Sequence, residues 1–92
     1  ADEINPTYLD TYAWILYVKG RYEQARLYID ETLKYIDDTE DNAGIIDHAG
    51  DIYWQCGERE KAVDFWKRAL KLTTDVTEQK EIEAKLKKHT TE

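Results

Sequence analysis

Apolar residues along this chain recur with helical spacing, and nowhere is there a sustained alternation of the kind a strand needs. Tyr8, Leu9, Tyr12, Ile15 and Leu16 follow one another three and four apart up to Gly20. Ahead of them, Asn5-Pro6 suits an N-cap followed by a first helical residue whose missing N–H costs nothing. After a turn too short for anything but an antiparallel hairpin, Tyr22, Ala25, Tyr28, Ile29, Thr32, Leu33 and Ile36 predict a second helix. Residues 37–42 are polar throughout and predict a linker without an apolar anchor. Ile45, Ile46, Ala49, Ile52 and Tyr53 make a third helix, stopping at Gly57, and Ala62, Val63, Phe65, Trp66, Ala69 and Leu70 make a fourth. Asp75 with Glu78 reads as a capping box that opens a last helix carrying only a thin stripe, Ile82 and Leu86. The fold class is therefore all-α, with five helices.

The pattern also repeats. Residues 9–34 reappear 37 positions later, with identical pairs at Asp10/Asp47, Ile15/Ile52, Gly20/Gly57, Glu23/Glu60, Ala25/Ala62, Leu33/Leu70 and Lys34/Lys71. A fixed period combined with helical spacing predicts a helical repeat array. Such arrays stack neighbouring units and seal an open end with a helix that is polar outside, a part the final segment fits. The chain divides into one domain over residues 1–92, with a first repeat at 5–36, a second at 42–73 and a capping helix at 75–89.

These residues resemble the tetratricopeptide repeat. The first hairpin carries its pattern at Leu9, Tyr12, Ala13, Leu16, Gly20, Tyr22, Ala25, Ile29 and Thr32, and GRYEQA is typical of its turn. The second carries it at Ile46, Ala49, Gly50, Tyr53, Gly57, Ala62, Trp66 and Ala69. Small residues at Ala13, Gly50, Ala25, Ala62 and Ala69 let paired helices approach closely. There are departures: Asp37 and Thr74 stand where a closing Pro is usual, Thr32 where Ala is usual, and Arg59 where an aromatic is usual. The resemblance implies a right-handed α-solenoid and, with a start at Ala1 and no Met, the C-terminal repeats of a longer bacterial-type protein.

Composition narrows the function. Twenty carboxylates against thirteen Lys and Arg leave a net charge of −7, which argues against nucleic acid because phosphate binding needs a basic face. No apolar run approaches membrane-spanning length, so no membrane insertion is expected. Cys56 is alone, which excludes an internal disulfide and leaves the compartment undetermined. His48 and His89 lie far apart without metal-ligand spacing, and the acidic linker lacks the ligand alternation of a calcium loop. Neither a catalytic role nor a cofactor or metal is expected.

The expected function is protein–protein interaction. In the tetratricopeptide family the first helices of each hairpin line a concave groove that holds peptides. Here that implies Thr7, Asp10, Trp14, Tyr17 and Val18 from the first helix, with Gly44, Asp47, Asp51, Trp54 and Gln55 from the third. Trp14 lies opposite Leu9, Tyr12 and Leu16, so the hairpin core does not need it. Two Trp and a Tyr beside three Asp suit aromatic anchoring with orienting charges. Asp at matching places would repel a C-terminal carboxylate, so the expected partner is a basic or neutral protein or peptide. The alternative is a structural or self-associating end with no ligand of its own, in which two copies pair through an N-terminal edge of Tyr8, Tyr12 and Ile15.

Overall fold

The structure, a computed structural model, describes residues 6–90, with side chains from 8 to 89. Five α-helices follow in order: α1 (Pro6–Val18), α2 (Tyr22–Leu33), α3 (Ala43–Gln55), α4 (Arg59–Leu72) and α5 (Val76–Thr90). No strand occurs among the described residues, so the fold is all-α. The expected N-cap Asn5 and the side chain of Thr7 lie outside them.

Gly20 and Gly57 end α1 and α3 in the same way. Both have positive φ, +81° and +87°, which a side chain would resist. Around each, two backbone bonds close a Schellman motif. Gly20 N–H reaches Tyr17 O and Arg21 N–H reaches Leu16 O, both at 2.9 Å; Gly57 and Glu58 repeat this on Trp54 and Tyr53. Each turn folds the next helix back, so α1 packs on α2 and α3 on α4.

One boundary differs from expectation, and the linker and the α5 cap gain detail. α2 stops at Leu33 instead of running to Ile36, because its last turn tightens: Lys34 N–H bonds Glu31 O and Tyr35 N–H bonds Thr32 O. Ile36 leaves the helix and packs against the second half of the core. The linker is held by polar contacts: Asn42 Nδ2 donates to Asp37 O at 2.9 Å, Arg68 pairs with Asp38 at 2.6 Å, and a 3-10 turn (Glu40–Asn42) leads into α3 at Ala43. At α5, Asp75 Oδ1 accepts the N–H groups of Thr77 and Glu78, at 2.8 and 3.1 Å, as a cap should. The return bond from Glu78 is not needed, since Asp75 N–H already donates to Thr73 Oγ1.

Two clusters form the core. Ala13, Leu16, Ala25 and Ile29 of the first hairpin close on Ala49 and Ile52 of α3. Ile46, Trp66 and Ala69 close on Ile82 of α5. Leu33 and Phe65 touch both clusters and join them. Thr32, fully buried, is tolerated because its hydroxyl donates to Tyr28 O one turn back at 2.9 Å. Across the α2–α3 joint the Tyr53 hydroxyl donates to the Asp30 carboxylate, and burial followed by that carboxylate raises its pKa. The body measures 46 × 27 × 18 Å.

Candidate functional site

Seven of the ten groove residues expected from the sequence, Asp10, Trp14, Tyr17, Asp47, Asp51, Trp54 and Gln55, fall into two groups. In the first, Trp14 stacks on Tyr17 of its own helix, with ring centroids 4.7 Å apart, and on His48 of α3, at 4.2 Å. The His48 ring N–H donates from Nδ1 to Asp10 Oδ1 at 2.9 Å, so α1 and α3 are bridged by a hydrogen bond beside the stack, which becomes an ion pair when the imidazole is protonated. Trp14 belongs to neither core cluster and stays partly exposed. Burial alone would lower the His48 pKa; the Asp10 hydrogen bond and charge, with Asp47 and Asp51 behind them, outweigh it and raise the pKa above its ordinary value.

The second group centres on a lysine from α5. Lys85 Nζ donates to Asp47 Oδ1 at 2.6 Å and to Asp51 Oδ1 at 2.9 Å. Asp51 also accepts Trp66 Nε1–H at 3.1 Å, and the ammonium lies 5.5 Å from the Trp66 ring centre. Burial would lower the Lys85 pKa, but its bonds to the two carboxylates raise it. For Asp47 the balance runs the other way: burial pushes its carboxyl up, and Lys85 only partly offsets this. Pairing therefore shows most clearly on the lysine, which the two carboxylates share.

Trp54 extends this group. It stacks on Trp66 at 5.6 Å and lies 4.0 Å from the His89 ring of α5, while the Arg59 guanidinium sits 4.8 Å over its ring. An open cleft of about 450 Å³ runs past it, lined by Trp54, Arg59, Glu60, Val63, Asp64 and His89. Gln55 is exposed, and burial followed by the nearby Asp51 charge raises the Tyr17 pKa, so the two groups lie within electrostatic reach of one another. Of the flanking positions, Val18 is exposed and Gly44 lies against the Glu78 carboxylate.

The three Asp are thus largely covered and internally paired, a different situation from a freely solvated acidic face. Five participants escape sequence reasoning: His48, Lys85, His89, Trp66 and Arg59. One signal for His48 is present in the repeat: Asp10 and Asp47 are register-mates on adjacent helices, so the neighbour of one can reach the other. Lys85 lies within the turn that carries Ile82 and Leu86, at the margin of the only apolar stripe on α5. Nothing in the spacing ties it to Asp47 and Asp51, more than thirty residues away.

Other chemistry is limited. Burial, then the Glu23 carboxylate, raises the Cys56 pKa, and its Sγ donates to Tyr22 O at 3.5 Å, so the thiol stays protonated. Among the described residues no group of three His, Cys, Asp or Glu is placed to hold a metal ion, and no helix is long and apolar enough to cross a membrane.

The chain matches no protein-family model, no curated protein and no solved structure.

Proposed function

We propose that this chain is a pair of tetratricopeptide-like repeats with a capping helix, arranged as a right-handed solenoid, and that it serves as a protein–protein interaction module. Its ligand is a peptide or protein segment lying along the concave face that α1 and α3 share with the C-terminal half of α5. One observation carries this reading: Trp14, a large partly exposed indole outside both core clusters, sits in a stack with Tyr17 and His48 on that face. Indoles and tyrosines in such places act as anchors, since they offer large contact area at low entropic cost.

Charge chooses among ligands. Asp10, Asp47 and Asp51 face one ammonium, Lys85, so with His48 neutral the site keeps an excess of two negative charges. A lysine- or arginine-bearing segment is favoured and a terminal carboxylate is repelled. Asp51 is a poor residue on which to test this, because it also holds Lys85 and Trp66 in place. Trp14→Ala is better placed, since Trp14 belongs to neither core cluster whereas Tyr17 packs against the first.

The test is titration of the chain with short basic, neutral and acidic peptides, followed by tryptophan fluorescence and calorimetry. Basic or neutral peptides should bind, acidic ones should not, and Trp14→Ala should weaken binding by tenfold or more at unchanged helicity, as loss of about 1.4 kcal/mol implies. Equal affinity in Trp14→Ala, or a preference for acidic peptides, disproves the assignment. A second reading, a structural end with no ligand of its own, draws on the exposed edge of α1.

A further inference from the structure

Tyr8, Tyr12 and Ile15 lie along one side of α1 and are 74%, 51% and 50% exposed. Tyr28 of α2 continues the strip, its ring 4.6 Å from that of Tyr12. Single exposed apolar residues need no explanation, but this strip has a counterpart inside the molecule. Advanced by the 37-residue period, the four positions become Ile45, Ala49, Ile52 and Phe65. All four pack in the cluster where the second hairpin seats on Ala13, Leu16, Ala25 and Ile29 of the first. The strip is therefore the stacking face of the first hairpin, built like the stacking face of the second and left without a neighbour among the described residues.

The other end of the molecule decides what covers it. The seat that a further hairpin would need on α3 and α4 is in register with Ala13, Ala25 and Ile29, namely Gly50, Ala62 and Trp66. α5 closes it, with Ile82 packed against Trp66 and Ala69. A second copy therefore finds no seat for head-to-tail stacking. The same strip on its partner is the face left to it, and an isologous contact of that kind closes after two subunits.

We infer that two copies of this chain pair through Tyr8, Tyr12, Ile15 and Tyr28, in a symmetric dimer that leaves the α1–α3 groove face uncommitted. At these exposures the strip offers on the order of 400 Å² per copy, at the small and weak end of specific interfaces. The inference does not rest on the groove reading.

Sedimentation equilibrium tests it, on the intact chain and on the double variant Tyr12→Glu/Ile15→Glu. The wild-type mass should rise from one chain to two between roughly 10 µM and 1 mM, where contacts of this size become populated, and then stop. The double variant should remain a monomer at the top of that range with an unchanged circular dichroism spectrum. Tyr8→Glu, at the most exposed position, gives a second readout should the double variant lose helicity, and should weaken pairing at least tenfold. A wild type that is monomeric at 1 mM, a dimer that neither variant disturbs, or a mass that grows past two chains overturns the proposal.

Discussion

Of the four glycines, Gly50 lies closest to a neighbouring side chain. A Cβ built there would fall well inside contact distance of the Trp66 indole, at Nε1 and Cδ1, with Cε2 3.0 Å away. The indole has little room to yield: Trp66 is 1% exposed and its N–H is held by Asp51. Ala is otherwise the better helix former by about 1 kcal/mol, so two effects oppose each other. Overpacking prevails, and Gly50→Ala should lower stability by about 1–3 kcal/mol, read as a reduced urea midpoint at unchanged m-value. His48 supplies a second prediction at this scale. Its folded pKa is raised above the ordinary value of 6.5, so its bond to Asp10 stabilises fully below that pH. The contribution is lost as pH rises through the folded pKa. Thermal unfolding from pH 5.5 to 8.5 should show a loss of about 1 kcal/mol on the alkaline side, absent in His48→Gln.

Among the elements, α5 depends most on a single polar contact. Its apolar stripe is thin, and Lys85 adds a tie to α3 by neutralising Asp47 and Asp51 where burial makes uncompensated charge costly. Lys85→Met keeps the stem and removes the charge. It should cost about 1–2 kcal/mol, less than breaking a fully buried pair because the site is partly solvated. In a double-mutant cycle with Asp47→Asn/Asp51→Asn much of that loss should be recovered, and additive losses would show that the contact is incidental. Elements such as α5 are legible in sequence because cap chemistry and periodicity are local. The end of α2 is less so: no Gly or Pro marks it, and Ile36 keeps the helical spacing while serving the core from outside the helix.

For the whole molecule, the repeat makes the order of helices and much of the core readable, since register pairs inside the hairpins report one environment twice, whereas pairs on the stacking strip, such as Ile15 (50% exposed) and Ile52 (buried), do not. Ala25 and Ala62 are both fully buried, and Gly20 and Gly57 have nearly equal φ. The site is less readable for the same reason. Its contacts join elements whose separation no local rule encodes, as with Lys85 and Asp47, and its charges are matched through side-chain reach and burial. Trp14 is an intermediate case: its position opposite the core stripe is visible in sequence, its partner His48 only in three dimensions.

The two ends of the stack are unequal, and that gives the molecule a direction. α5 covers the second hairpin, whereas the first hairpin leans on the second and on nothing else among the described residues. In a linear array of nearest-neighbour contacts, a unit with one neighbour opens at lower cost than a unit with two. Amide protons of α1 and α2 are therefore set to exchange with solvent through a partial opening that leaves α3, α4 and α5 folded. Proteolytic nicking will follow the same polarity, starting from the bare end and stopping at the sealed one.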